Sequence, residues 1–373
     1  MKKFLSLATA TIFTSANIVI AQDIPTEKPP GELGITGYVD TYYQYNLNKP
    51  ESRTNQGRVF DLYHNTFSVG LIQTMFTYDY GKAHVVADLI FGPNADLADF
   101  GNEGAAKMIK QAYIAYDVSD KLRFTIGQYG THIGYELIDA PLNFNYSLSY
   151  LFGNGPFYHT GAKLDYALSP RLGLMLGVVN GWDSLTDFNK KKSVTAQVHV
   201  APLTGFDLYV NWIGGDEFNT LSNFGSTEGS YTSLLDLTSS FQVNDAFKLG
   251  INAAYGSFST GTSEVNPADP WSEDADWGGA ALYLNYKASE TFGIGLRSEY
   301  FSDPGGIRYF GPVDATAFTL TGNVKLADGH LNVKPEVRLD LTKDAFFENK
   351  VGDITKKSQA TVGVAFVYSF TAK

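Results

Sequence analysis

The chain has 373 residues and a formal net charge of −11, from 28 Lys and Arg against 39 Asp and Glu. That acidity argues against nucleic acid as a partner, and the absence of cysteine means that disulfides do not hold the fold. Aromatic residues reach 14 %, with 23 Tyr and 26 Phe beside 37 Gly, which is unusual for a soluble secreted enzyme.

Residues 1–21 read as a secretory signal peptide. Lys2 and Lys3 form a positive start, Phe4 to Ala16 is a short apolar stretch, and Val19-Ile20-Ala21 offers small residues before a cleavage point. An uncleaved anchor is the alternative, but the stretch is short for a spanning helix and is interrupted by Thr, Ser and Asn. Residue 22 is Gln rather than Cys, so no lipoprotein anchor is indicated. Cleavage would remove Lys2 and Lys3 and take the net charge from −11 to −13. Residues 22–33 are polar and hold three prolines, which fits an extended lead-in. No run of 18 apolar residues follows, so no transmembrane helix is expected.

From residue 34 to 373 the pattern is apolar alternation with period two, the mark of strands with one greasy face. Such runs fall at about 35–46, 62–76, 82–91, 110–117, 121–130, 157–167, 171–180, 192–201, 205–213, 231–243, 246–256, 278–287, 291–301, 315–326, 330–342 and 359–370, which makes sixteen. Val194, Ala196, Val198 and Val200, for example, alternate with Ser193, Thr195, Gln197 and His199. The connections alternate too. Short turns such as YDYGK, DVSDK, ALSPR and LADG follow every second run, and the others are long. This asymmetry and the even count predict an all-β, antiparallel transmembrane barrel of about sixteen strands, with short periplasmic turns and long extracellular loops. A soluble propeller or sandwich has no reason to keep it.

Aromatics check the reading independently. Phe206 and Trp212, Phe247 and Tyr255, and Phe292 and Tyr300 share the outward parity of their runs. Eight residues of tilted strand separate the last two pairs, roughly 20 Å along the barrel axis, which suits two girdles around an apolar band. Ile251 and Leu296 sit between them. Pro335 resists, because it falls inside a run where a central strand should donate a ladder hydrogen bond. A bulge or a misplaced strand would explain it.

The inward parity carries Asp40, His84, Asp88, Lys163, Asp165, Lys248, Arg297, Glu299, Lys334, Glu336, Arg338 and Asp340. Mixed charges on one face need water or partners. Eight strands could be plugged by ion pairs, but sixteen enclose a bore too wide for side chains to fill. These twelve residues are therefore expected to line a water-filled pore.

The rhythm breaks between about residues 130 and 156, inside GQYGTHIGYELIDAPLNFNYSLSYLFGNGPFYHTG (127–161). The break is too polar for a core and too aromatic for a linker. It reads as a loop folded into the barrel mouth, with His132, Glu136, Asp139, Asn143, Asn145 and Tyr146 at a constriction. Glu136 and Asp139 are expected to face lumenal bases, among them Arg297 and Arg338, across narrow water, and the mature charge of −13 with acidic outer loops leads to an expected weak cation preference.

Enzyme signatures (a G-x-S-x-G elbow, an H-E-x-x-H helix, a Walker loop) are missing, and no catalytic residue is assigned. His132 and Glu136 could suggest a metal or an acid–base pair, but in a loop their spacing has little force; tying the loop to the wall is the plainer role. The acidic stretch around Asp269, Glu273, Asp274 and Asp276 lacks the ligand order of a calcium motif, and no metal or cofactor is expected.

The chain resembles the β-barrel porin-2, OmpL-like, family. The resemblance rests on GYVDTYYQYNLNKP (37–50), QAYIAYD (111–117), the 127–161 block, the charges of Glu336, Arg338 and Asp340, and the strand ending at Phe370. It implies an outer-membrane protein of Gram-negative bacteria acting as a porin, whose partners would be membrane lipid, small hydrophilic solutes or ions and, during biogenesis, the barrel-assembly machinery. A homo-oligomer stays open. The alternatives are a surface receptor or adhesin with a closed lumen, and a barrel enzyme such as a lipid hydrolase.

Overall fold

A computed structural model describes residues 31–372 except Phe100, Gly101, Glu103, Phe188, 218–229, 261–272 and Phe310. The signal peptide and most of the lead-in lie outside the described residues, as does Asp269. Among the described residues eighteen strands run in chain order: β1 Glu32–Asn46, β2 Thr66–Tyr80, β3 Ala83–Phe91, β4 Ile109–Ser119, β5 Leu122–Gly130, β6 Tyr158–Ser169, β7 Leu172–Val179, β8 Ser193–Val200, β9 Phe206–Gly215, β10 Tyr231–Gln242, β11 Phe247–Ser259, β12 Ala275–Lys287, β13 Phe292–Asp303, β14 Val313–Leu326, β15 Leu331–Thr342, β16 Phe347–Glu348, β17 Ile354–Lys356 and β18 Ser358–Ala372. All but β16 and β17 close into one antiparallel sixteen-stranded barrel; those two form a small ribbon within the last loop.

Closure is made by β1 pairing with β18, from Ile35 opposite Ala372 to Asn46 opposite Thr361. A closed ladder leaves no edge, which is what lets strands stand in a bilayer. The sixteen expected runs coincide with the sixteen barrel strands, shifted by a few residues at their ends. Turns of two to five residues join β2–β3, β4–β5, β6–β7, β8–β9, β10–β11, β12–β13 and β14–β15, and both ends of the described chain lie on that side.

Alternation explains the wall. Along β13, Phe292, Ile294, Leu296 and Tyr300 are exposed while Gly293, Gly295, Arg297, Glu299, Phe301 and Asp303 are buried. Ile251 is exposed and its neighbour Asn252 is buried. Such an outer surface of Val, Leu, Ile and aromatic side chains would be a liability in water and suits lipid. Pro335 lies in β15 without a bulge. Its residues pair with β14 in one register on both sides, and the ladder lapses only where Lys334 and Pro335 pass Asn323 and Gly322. The missing N–H is accommodated by a glycine that leaves room for the ring, not by an extra residue.

Candidate functional site: a loop folded across the lumen

The connection between β5 and β6, residues 131–157, does not project away from the barrel. It runs inward and is fixed to the wall from β9 around to β1. His132 Nε2 meets the Trp212 carbonyl at 3.1 Å and the Gly134 N–H donates to Asp236 at 3.0 Å, on β9 and β10. Tyr135 stacks on Tyr283 of β12, ring centroids 4.4 Å apart. Asn145 donates to Thr321 at 2.7 Å and Asn323 donates to the Phe144 carbonyl at 2.9 Å, both on β14. Tyr146 donates its hydroxyl proton to Asp40 of β1 at 2.6 Å.

The inward charges of β13 and β15 complete the seam. Lys334 donates to the carbonyls of Ala140 and Asn143 at 2.8 and 2.6 Å. Glu336 accepts the N–H groups of Tyr146 and Ser147 at 2.8 and 3.0 Å. Arg297 and Arg338 donate to the carbonyls of Ser147 and Leu148, each at 2.6 Å. A loop cannot bury its backbone without partners, and here wall side chains serve as those partners. The short helix α2, Tyr150–Gly153, is capped by the Ser149 hydroxyl. Glu136 and Glu299 accept the N–H groups of Ser149 and Tyr150 at its start, both near 2.7–2.8 Å.

Two close approaches need glycine. At Gly70 a Cβ would lie 2.1 Å from the Asp40 carboxylate, which is bound to the Leu71 N–H at 2.6 Å. At Gly295 it would strike the Phe144 ring at 2.4 Å, so the glycine is the notch that seats this loop aromatic.

Beneath the loop runs a chain of alternating charge: Glu136, Arg297, Glu299, Arg338, Asp340, Arg58 and Asp61. Successive contacts are 2.5, 3.5, 3.4, 2.7 and 2.7 Å, and Arg58 closes on Asp61. The Arg338 guanidinium also lies 5.2 Å from the Tyr150 ring centroid. Arg58 belongs to the first loop (47–65), so two loops and two strands share one buried network. Nothing in its spacing announced Arg58; its burial depends on a contact with β15 across almost the whole sequence.

The expected pore residues divide into two sets. Asp88, Arg297, Lys334, Arg338 and Asp340 are wholly inaccessible, and Asp40, Glu299 and Glu336 nearly so. They hold the loop instead of facing open water, because the loop supplies the hydrogen-bond partners that water was expected to provide. Asp88 accepts from Gln73, Gln111 and Lys110. His84 lies between Asp79 and Asp117 at 2.8 and 2.9 Å near the turns. Lys163 and Asp165, paired at 2.9 Å, stay partly hydrated at 21 and 17 % side-chain exposure, and Lys248 is half-buried.

The loop residues also differ from expectation in their partners. Glu136 touches Arg297 directly, with no water between them, and Asp139 pairs at 2.5 Å with Lys110 of β4 rather than with Arg297 or Arg338. The narrow water between opposed charges is therefore absent at these two acids. His132 and Glu136 are not brought together. Burial and the neighbouring His159 push the His132 pKa down to about 3, so the ring is neutral and its bond to the Trp212 carbonyl is structural. Asn143 braces the loop internally, bonding both backbone groups of Leu137 at 2.9 and 2.6 Å. Of the expected girdle, Tyr255, Phe292 and Tyr300 are exposed, and Phe206, Trp212 and Phe247 are half-buried against neighbours on the outer wall.

The alternation reading had no place for apolar residues on the inward face toward the long loops. Ile213, Leu234, Phe258, Trp277, Phe301 and Val313 point inward and pack with Ile133, Tyr150, Leu151 and Trp182 into a core inside the barrel. The signal was present: each breaks the polar run on its own inward parity within a few residues of a loop.

A closed sixteen-stranded barrel with an apolar outside, a charged inside and a loop drawn into the lumen defines an outer-membrane protein of porin type. The chain belongs to the family described as "Putative beta-barrel porin-2, OmpL-like", whose model matches residues 32–370. No curated protein matches it in sequence. Solved structures match in fold. DcaP, an outer membrane channel of Acinetobacter baumannii, is 14 % identical, with 95 % of this chain and 100 % of that one covered and a TM-score of 0.57. An anion-selective porin from Comamonas acidovorans is 12 % identical over 91 % of this chain and 100 % of that one, with a TM-score of 0.59. OmpT of Vibrio cholerae is 13 % identical over 92 and 99 %, with a TM-score of 0.57. The protein is thus a β-barrel of the bacterial outer membrane.

Proposed function

We propose that the protein is a porin that lets small hydrophilic solutes diffuse passively, with the loop at 131–157 narrowing the path. The observation that carries this reading is the hydration left on one part of the inner wall. His199 and Asp207 keep 29 and 43 % side-chain exposure, and Lys163, Asp165 and Lys248 are also reached by water. Charged side chains of both signs along β6–β11 give a solute a polar surface to exchange its hydration shell with. The mixed signs give no strong ion preference, and the Comamonas relative's anion selectivity has no counterpart in a single-signed wall here.

A second reading has its own support. The apolar core under the long loops is that of a closed lumen, which suits a surface receptor whose loops bind a partner. Reconstitution in a planar bilayer separates the two. Stable single-channel steps with weak selectivity are expected of the porin. A barrel that is folded by heat-modifiable mobility and yet carries no current would sink it.

A further inference from the structure

The first long loop carries a feature that neither the lumen nor the charge network uses. Three non-glycine residues in residues 47–65 have left-handed backbone: Lys49 at φ 53°, Arg53 at φ 58° and Asn65 at φ 52°. Each such residue costs on the order of 1 kcal/mol, and such outliers gather at functional positions. Together they shape an open cavity of about 350 Å³ lined by Pro50, Glu51, Arg53, His64 and Asn65.

Of the lining, Arg53, His64 and Asn65 carry N–H donors and Glu51 is an acceptor, while Lys49 adjoins the cavity in the chain, next to Pro50. His64 Nδ1 accepts the Asn46 N–H at 2.9 Å, which fixes the proton on Nε2. The ring is only 7 % exposed, and among the described residues its Nε2–H has no acceptor. Lys49 and Arg53 are exposed, and neither side chain has a hydrogen-bond or ion-pair partner among the described residues. Both cations act on the ring, since after burial it is their charges that lower the His64 pKa. Glu51 is an acid on the rim, whereas nearby Glu348 is engaged by Ser52 and Gln56.

Directly beneath, on the outside of the barrel, lies an aromatic cluster. Tyr43 donates to Asn65 at 2.6 Å and its ring lies 4.8 Å from Phe67; the Tyr45 ring meets His64 edge-on at 4.9 Å. Phe67 is 87 % exposed, more than any other large apolar residue among those described. Donors above and bare aromatics below, at the loop end of the outer wall, match an amphiphile standing in the bilayer. A solute within the lumen reaches neither.

We propose that this cup binds the phosphate of a phosphorylated glycolipid in the outer leaflet. Arg53, Lys49 and the His64 Nε2–H would donate to the phosphate oxygens, and Phe67 and Tyr43 would lie along the sugar and the first acyl carbons. The inference requires the long loops to face outward and is independent of whether the lumen conducts.

The test uses the purified full chain in a mild detergent, mixed with lipid A or with its dephosphorylated form, and counts retained lipid by native mass spectrometry. The parent should retain phosphorylated lipid A and lose the other. K49Q/R53Q should lower occupancy about tenfold or more. Phe67→Ser should weaken retention too, and millimolar inorganic phosphate should not displace the lipid. His64→Gln, which keeps a donor but loses the fixed geometry, should fall between, and heat-modifiable mobility reports that each variant is folded. Equal retention of both lipid forms, or parental retention by K49Q/R53Q, overturns phosphate recognition. Displacement by inorganic phosphate with Phe67→Ser unchanged would instead make this a site for a soluble anion, and the lipid assignment fails.

Discussion

The two ends of the lumen are built on the same strand parity and differ in what became of their inward side chains. Toward the short turns, Lys163 with Asp165 and His199 with Asp207 form part-open pairs and Lys248 is half-buried, all in contact with water. Halfway along, Arg297, Glu299, Lys334, Glu336, Arg338 and Asp340 are buried beneath the inserted loop, each bonded to it or to one another. Toward the long loops the inward residues become Phe258, Trp277 and Phe301. The difference teaches that inward parity in a wide barrel does not define a residue's solvent. The loop does. A charge meets water where no loop reaches and becomes a structural bond where one does.

The sharpest way to break that comparison is to remove the loop. Replacing residues 137–152 by a Gly-Ser link should raise single-channel conductance severalfold, since it uncovers the β13–β15 wall. It should also uncover Arg297, Lys334 and Arg338 together with Glu299, Glu336 and Asp340, a wall of balanced charge, and so leave selectivity weak. Unchanged conductance would mean that the path does not pass this loop. Glu136→Gln alone should loosen the loop without retuning selectivity, because Glu136 is spent on Arg297 and the Ser149 N–H.

Next in size is the contrast between a buried and a hydrated cation. Arg338→Ala leaves Glu299 and Asp340 facing a hole and should cost about 3–5 kcal/mol of unfolding free energy in lipid vesicles. Lys163→Met, at a half-open pair, should cost about 1 kcal/mol or less. Equal losses would mean that the covered and the open parts of the inner wall are equally wet. On the outer wall, Ile251→Arg near mid-membrane should cost about 2–4 kcal/mol, while Lys248→Arg on the lumen side should be nearly silent. Asn252→Arg is no silent control. Asn252 is buried and donates to Asp236, the same carboxylate that holds the Gly134 N–H of the loop.

Strand count, parity and turn asymmetry were legible in the sequence because each rests on local period and length. Pairing across the lumen was not. Glu136 and Asp139 stand three residues apart in one loop, yet one meets β13 and the other β4. No local rule tells two carboxylates of one loop which wall each will reach. Arg58 illustrates the same limit: its partner Asp340 is near it only because β1 closes on β18. Pro335 shows the opposite limit, since a local rule called for a bulge or a misplaced strand and the glycine across the ladder removed the need for either.

The smallest effect concerns the rim, where the second and fourth long loops meet the wall at Tyr158. Asp99 ends the short helix α1, Ala95–Ala98, and is bound by Gln128 at 3.2 Å; Asp183 accepts the N–H groups of Phe157 and Tyr158 at 2.6 and 3.0 Å. Burial, then the Asp183 charge, pushes the Asp99 pKa up to about 8, and burial raises Asp183 to about 7 against those two hydrogen bonds. Both folded values stand above the ordinary carboxylate pKa near 4. Their stabilisation is therefore complete below about pH 4 and is lost as pH rises through 7 and 8. Limited proteolysis of the folded barrel at the 92–108 and 180–192 loops should accordingly speed up from pH 5 to pH 9. The stretch 144–149 of the inserted loop, tied by Glu336 and the arginines, should change less, because its bonds do not reach Asp99 or Asp183. Asp99→Asn should flatten the profile at the rim, because the amide keeps an acceptor for Gln128 and carries no charge to bury. A rim as well protected at pH 9 as at pH 5 in the parent would show that these two carboxylates find water at the loop end, and that this end is wetter than its packing implies.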